Sequence, residues 1–200
     1  MPFFRCASDA EFAGVNLPRP TPRTPGNVPY VVDNIWEWLR PPSMPSRRFA
    51  IYASPSVQLA RAGAAAPGRD ISALRVGRVV AVGAIHAVQC PQQDAREHPD
   101  VRAIRECILK YLGSDWPGLP PEAKLPLGLL FLPGLGASEV NGFLTRAPEL
   151  AAALHSASTF WSDVRPVSVE DPLQFQDGEV FFSAAEGYRL EEWSGGTAGA

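Results

Sequence analysis

Apolar and polar residues follow strand periodicity near both ends of the chain and helical periodicity in its middle. The stretches whose pattern predicts strands are 2–7, 48–54, 74–88, 159–169, 178–184 and 188–193. The stretch 74–88 is nearly continuous in apolar residues, as one buried strand or a bent pair of strands would be. Strands are therefore expected from the N-terminal and C-terminal parts of the chain, with helices between them.

The clearest amphipathic helix is predicted at 100–112, where the apolar positions with helical spacing are Val101, Ile104, Ile108 and Leu112. Asp100 is a suitable N-cap for this helix, and Gly113 is a suitable residue to end it. The stretch 139–158 is also helical in pattern on either side of Pro148. Helices therefore dominate the central part of the chain.

A further helix is predicted within 31–40, with Asp33 or Asn34 as its cap, and Ser56 is placed to cap another that follows it. The chain has 21 prolines, and they cluster at 18–29, 41–45 and 117–126. Because proline fixes φ and removes a backbone donor, these clusters predict irregular connections. The sum of these elements is an α+β fold.

The length and composition are those of a globular protein with one main core. With 200 residues, 46% apolar and 20% charged, we expect a single domain at 1–193 and a flexible tail at 194–200. The net charge is −3 and the basic residues are scattered, so no nucleic-acid partner is expected. No apolar run reaches the ~20 residues of a membrane helix, so no membrane role is expected either.

The cysteines indicate the compartment in which the chain folds. Cys6, Cys90 and Cys107 are odd in number and widely spaced, which is not a disulfide framework and favours a reducing cytoplasm. The N-terminus has no charged leader followed by an apolar segment, so no cleavable signal peptide is predicted. The protein is expected to be cytoplasmic when made, and a secretion system that reads no such signal remains able to deliver it elsewhere.

Three of the predicted strands carry a conspicuous polar residue. Arg5 lies in "FFRCA", Ser54 ends the strand in "FAIYASPS", and Glu179 begins the strand in "DGEVFF". In this order the three motifs resemble the Arg-Ser-Glu class of mono-ADP-ribosyltransferases. The resemblance covers about twenty scattered residues. It implies the split β-sheet core with flanking helices of that family.

The resemblance also implies a reaction with NAD+ as substrate and no metal. Arg5 would hold the pyrophosphate or a ribose hydroxyl, because a planar guanidinium fork suits phosphate oxygens. Ser54 would bind NAD+ near the nicotinamide ribose. Ser56 would either bind there as well or only cap the following helix. Glu179 would stabilise the cationic ribose as nicotinamide leaves. Asp177 stands where arginine-modifying members have glutamate, so it would orient the acceptor while leaving arginine as a target in doubt.

Small members of this class are often bacterial toxins or effectors, so the implied partners are a target protein and a neutralising protein. Trp36 is a candidate for stacking on the cofactor, while core or interdomain packing is the more common role of such a tryptophan. Histidine and cysteine, the residue types that bind zinc, recur at His86, Cys90, His98 and Cys107, but their spacing matches no compact zinc motif. Two other functions stay open: an NAD+ glycohydrolase or phosphorylase, and a noncatalytic binding or inhibitory protein of similar fold.

Overall fold

A computed structural model describes residues 2–23, 26–65, 72–168 and 172–193 of the chain. The chain forms two compact units, which are described separately below. The β unit comprises residues 1–20, 49–93 and 165–200, and the helical unit comprises residues 21–48 and 94–164. The tail predicted to be flexible, 194–200, lies outside the described residues.

The described strands are β1 (Phe4–Ala7), β2 (Ile51–Ala53), β3 (Arg75–Ala81), β4 (Ile85–Gln89), β5 (Arg165–Val167), β6 (Val180–Ala184) and β7 (Tyr188–Glu192). The α-helices are α1 (Asp9–Phe12), α2 (Tyr30–Leu39), α3 (Val57–Ala64), α4 (Asp100–Leu112), α5 (Pro121–Gly128), α6 (Ala137–Leu144), α7 (Pro148–Ala157) and α8 (Phe160–Asp163). The described chain is therefore mixed α and β, in agreement with the predicted α+β class.

The β unit contains two antiparallel sheets, with strand orders β1-β3-β7 and β2-β6-β4-β5. The two sheets meet where Phe4 of β1 pairs with Ser54, directly after β2. Both backbone hydrogen bonds of this pair are formed, and each measures 2.8 Å between nitrogen and oxygen. Apolar residues of both sheets then pack into one core, which includes Phe3, Val79, Val180, Phe182 and Leu190.

The apolar stretch 74–88 forms a bent pair of strands rather than one strand. Gly83 has a φ of 76°, a left-handed conformation that favours glycine, and it lies between β3 and β4. The two strands belong to different sheets. The bend therefore carries the chain from one sheet of the β unit to the other.

The helical unit is organised around the buried carboxylate of Asp100. It accepts hydrogen bonds from the Trp36 indole at 2.9 Å, the Ser158 hydroxyl at 2.6 Å, and the backbone nitrogens of Thr159 at 2.9 Å and Phe160 at 3.1 Å. Burial alone would raise the pKa of Asp100, but hydrogen-bonding neighbours outweigh burial and hold this pKa well below its ordinary value. Asp100 thereby joins α2, α4 and the start of α8.

A second buried network links α2 to the loop before α6. The guanidinium of Arg48 donates to the Asp33 carboxylate at 2.7 Å and to the Asn34 side-chain oxygen at 2.7 Å. The Asn34 amide donates in turn to the backbone oxygens of Leu130 at 2.8 Å and Leu132 at 2.7 Å. These contacts give each buried polar group a partner, which offsets the cost of burying it.

Several predicted boundaries were wrong. Helix α2 begins at Tyr30 with Pro29 at its N-cap, so Asp33 and Asn34 are buried interior residues and not caps. Pro99 occupies the N-cap of α4, so Asp100 is the first residue of that helix and not its cap.

Two predicted elements differ in type. The stretch 159–169 begins as helix α8 before the short strand β5, because the backbone at its start bonds to Asp100. The proline cluster 117–126 includes the start of α5, whose first turn contains proline; the first turn tolerates it because its N–H groups lack helical partners. Among the described residues, no helix has the length and apolar character that crossing a bilayer requires.

We expect Asp100→Asn to lower the free energy of unfolding at pH 7 by about 2–4 kcal/mol, because an amide replaces an acceptor surrounded by donors. The pKa of this carboxyl is lowered in the fold. Its contribution is therefore complete above the unfolded value of about 3.9 and is lost as the pH falls through the lowered folded pKa.

Chemical denaturation followed by tryptophan fluorescence between pH 2.5 and 7 measures both effects. Asp115→Asn is the matched control, since Asp115 is exposed. Equal unfolding free energies for the two variants at pH 7 would contradict this role of Asp100.

Candidate functional site

The three strand segments whose polar residues were identified in the sequence meet at one place in the β unit. Arg5 follows Phe4, which pairs with Ser54. On the other edge of β2, Ala53 pairs with Val180, so the next residues along these two strands are Ser54 and Glu179. The backbones of Arg5, Ser54 and Glu179 are therefore neighbours at the junction of the two sheets.

The pleat of the strands sets the direction of each side chain. Side chains two residues apart on a strand point to the same face of the sheet. Ser54 therefore shares a face with Tyr52, and Glu179 shares that same face with Phe181, whose ring stacks on that of Tyr52. Arg5 lies on the other face of β1, with Phe3 and Ala7. The structure thus gathers the three positions and directs the arginine to the opposite side of the strand junction from the other two.

The guanidinium of Arg5 reaches from β1 to the backbone of β2. It donates to the backbone oxygen of Tyr52 at 3.1 Å and to the carboxylate of Glu11 at 3.2 Å. The side chain is 25% exposed. Its Nε is enclosed and has no acceptor within the part of the chain that the structure describes. A cationic fork, whose Nε has no acceptor among the described residues, therefore lies at the junction of the two sheets.

Two ionisable neighbours fix the electrostatics around Arg5. Burial alone would raise the pKa of Glu11, but hydrogen bonding from Ser8 and the charge of Arg5 outweigh it and lower this pKa. Burial raises the pKa of the Tyr188 hydroxyl, and the nearby charge of Arg5 opposes that rise. At neutral pH Arg5 therefore faces an ionised carboxylate and a neutral phenol.

The two serines of "SPS" have different environments. Ser54 is half-buried and its backbone is used in the pairing with Phe4. The hydroxyl of Ser56 accepts a hydrogen bond from the backbone nitrogen of Leu59 at 3.2 Å and caps α3. The predicted capping role of Ser56 is therefore confirmed, and its role in binding NAD+ remains a prediction.

The loop before β6 carries both candidate acidic residues. Asp177 is exposed, and Glu179 is half-buried. The backbone of Glu179 is fixed in both directions, because its nitrogen donates to Gln92 at 2.9 Å and its oxygen accepts from Cys90 at 2.8 Å. Between the two acids, Gly178 packs so closely on Cys90 that a Cβ would overlap the backbone oxygen of that cysteine. Glycine is thus required here for close approach.

Trp36 lies in the core of the helical unit. Its ring is 1% exposed and stacks on Phe160 with the ring centroids 4.1 Å apart. The guanidinium of Arg47 lies 5.5 Å from the centroid of the indole, whose nitrogen donates to Asp100. These contacts are those of a core residue and account for the tryptophan without a ligand.

Two residues of the site were missed in the sequence. Glu11, the partner of Arg5, had a signal: Ser8 and Glu11 have the spacing of a capping box, and the Ser8 backbone nitrogen donates to the Glu11 carboxylate at 3.1 Å. Tyr188 had none, because it comes from β7, which is distant in the sequence and is brought towards Arg5 by strand pairing. Within the described residues, no group of three or more histidines, cysteines or acidic residues could hold a metal ion.

Comparison of the chain with known proteins gave no matching family model, no matching curated protein and no matching solved structure.

We expect Gly178→Ala to destabilise the protein by about 1–3 kcal/mol, because the added methyl group forces the loop away from β4. Gly142→Ala is the control. Gly142 lies within α6 with open space around it, so alanine there should stabilise by about 0.5–1 kcal/mol. Thermal unfolding of the two variants beside the parent measures both changes, and equal melting temperatures would refute the tight contact.

Proposed function

We propose that this chain is an NAD+-dependent mono-ADP-ribosyltransferase of the Arg-Ser-Glu class that modifies a protein target. The observation that carries the proposal is the meeting of the backbones of Arg5, Ser54 and Glu179 at the junction of two antiparallel sheets. The three residues are far apart in the sequence, and strand pairing makes them neighbours. The two sheets joined at one residue pair also support the split β-sheet core of that family.

The reaction assigns a separate task to each residue. Arg5 binds the pyrophosphate beside Tyr52 and Glu11, where its guanidinium already holds a carboxylate. The ribose lies beside Ser54 and Glu179 on the other side of the strand junction. As the C1′–nitrogen bond breaks, nicotinamide leaves with the bonding electrons and the carboxylate of Glu179 stabilises the positive charge on the ribose. The acceptor then bonds to C1′ and loses its proton to solvent.

The acceptor side of the site is the loop that precedes Glu179. Asp177 is exposed two residues before it, so a macromolecule that approaches this loop can contact it. We assign it the orientation of the acceptor side chain. The target is a protein in this proposal, and a toxin or effector role, with a neutralising partner, follows from the resemblance alone.

We expect purified protein to release nicotinamide from NAD+, and Glu179→Gln to slow this release by about 100- to 1,000-fold, as loss of a group that stabilises transition-state charge does. Glu149→Gln, on the exposed surface of α7, is the control and should match the parent. Release is measured by chromatography, with and without a cell lysate as a source of acceptor. Labelled protein bands that depend on Glu179 identify a transferase.

The other outcomes separate the competing functions. Release that depends on Glu179 but labels no protein favours an NAD+ glycohydrolase, or a phosphorylase where added phosphate accelerates it. No release and no binding of NAD+ under either condition, with Glu179→Gln indistinguishable from the parent, would refute the enzymatic proposal. A noncatalytic binding protein would then be the better explanation.

The two serines provide a further test, because the proposal gives them different tasks. We expect Ser56→Ala to cost about 1 kcal/mol of stability through loss of the α3 cap while nicotinamide release per folded molecule changes little. Ser54→Ala should lower release by about tenfold or more and leave the cap intact. Thermal unfolding and release assays on both variants check this. Equal effects of the two substitutions on release would contradict the assignment.

A further inference from the structure

A buried glutamine, Gln89 at the end of β4, binds the loop that carries the acidic residues. Its side-chain oxygen accepts hydrogen bonds from the backbone nitrogens of Gln174 and Phe175, each at 3.0 Å. Its side-chain nitrogen donates to the backbone oxygens of Phe175 at 2.6 Å and Gly178 at 3.3 Å. The residue is 0% exposed. The amide therefore supplies the loop backbone with the hydrogen-bond partners that a neighbouring strand would otherwise provide.

These bonds use the full capacity of the amide group. A glutamine side chain offers two donor hydrogens and an oxygen with two lone pairs, and the loop supplies partners for all four. Among side chains of this size, only the carboxamide presents two donors and two acceptor lone pairs in one plane. A buried polar group left without partners is costly, so the loop and Gln89 stabilise each other's position.

The attachment leads directly to Glu179. Gln89 pairs with Val180, and the next residue, Cys90, donates its backbone nitrogen to the oxygen of Glu179 at 2.8 Å. Gly178, which contacts both Gln89 and Cys90, is the last residue of the loop and directly precedes the glutamate. The side chain of Gln89 and the end of β4 thus fix the backbone on the N-terminal side of Glu179.

We infer that Gln89 is a positioning residue for Glu179: it fixes the 174–178 loop so that the carboxylate is held against the ribose during nicotinamide release. This inference rests on the proposed function. Gln89 acts through the loop and does not touch the substrate. Its loss should therefore lower the rate of the chemical step, where small displacements are costly, and leave NAD+ affinity nearly unchanged.

The main test is Gln89→Met, which keeps the size of the side chain and removes its hydrogen bonds. We expect kcat for nicotinamide release to fall by about 10- to 100-fold, with the Kd for NAD+ within about twofold of the parent. Hydrogen–deuterium exchange should rise in the 172–179 segment. Gln58→Met, on the exposed surface of α3, is the control and should match the parent in all three measurements.

A second variant keeps the inference testable if Gln89→Met folds poorly. Gln89→Glu retains the acceptors, but its ionised carboxylate faces the backbone oxygens of Phe175 and Gly178. Protonation restores one donor, so the ratio of its kcat to that of the parent should rise as the pH is lowered. In a Glu179→Gln background, Gln89→Met should have little further effect on release, because both changes act on the same group.

Each outcome separates this inference from the proposed function. No release by the parent protein contradicts the function, and the inference with it. Release by the parent with an unchanged kcat in Gln89→Met contradicts the inference alone. The positioning role would also be overturned if Gln89→Met lowered kcat, NAD+ affinity and melting temperature together and Gln89→Glu showed no pH-dependent recovery. That result would show that Gln89 only supports the fold.

Discussion

The pairing of Phe4 with Ser54 is the contact on which the architecture of the β unit depends. It is a single bridge with two backbone hydrogen bonds, and it is where the two sheets meet. Beyond it β1 continues with β3 while β2 pairs with β6. Arg5 extends across this separation and donates to the backbone oxygen of Tyr52. The candidate site therefore follows from the place where the strands separate.

The elements on either side of the bridge are fixed by different interactions. The strands that carry Ser54 and Glu179 are held by backbone pairing, which tolerates many side chains. Among the described residues, the loop before Glu179 is paired with no strand, and it is held by the side chain of Gln89, the close packing of Gly178 and the packing of Leu173 on the core. Its geometry thus depends on residue identity at these positions far more than the geometry of the strands does.

Local signals in the sequence predicted the elements well and their contacts poorly. The period of apolar residues predicted α4, and Ser56 predicted the cap of α3, because both depend on neighbours within a few residues. Asp33 and Asp100 were interpreted as caps by the same reasoning, and that was wrong. Their partners, Arg48 and Trp36, come from distant parts of the sequence. The four partners of Gln89 were hidden for the same reason, since no local pattern marks a strand residue that will bind a loop.

The ion pair of Arg5 with Glu11 bears on how an anionic substrate would be bound. A half-buried guanidinium needs an anionic or carbonyl partner at all times, and here a carboxylate from the short helix α1 provides it. Binding a pyrophosphate exchanges one anion for another, so the affinity reflects the difference between the two contacts and not the full strength of either. The lowered pKa of Glu11 keeps this partner ionised at neutral pH, so an anionic ligand of the proposed kind would have to compete with it. Under the proposed function, the two charges of a pyrophosphate would compete better with this carboxylate than a single charge would.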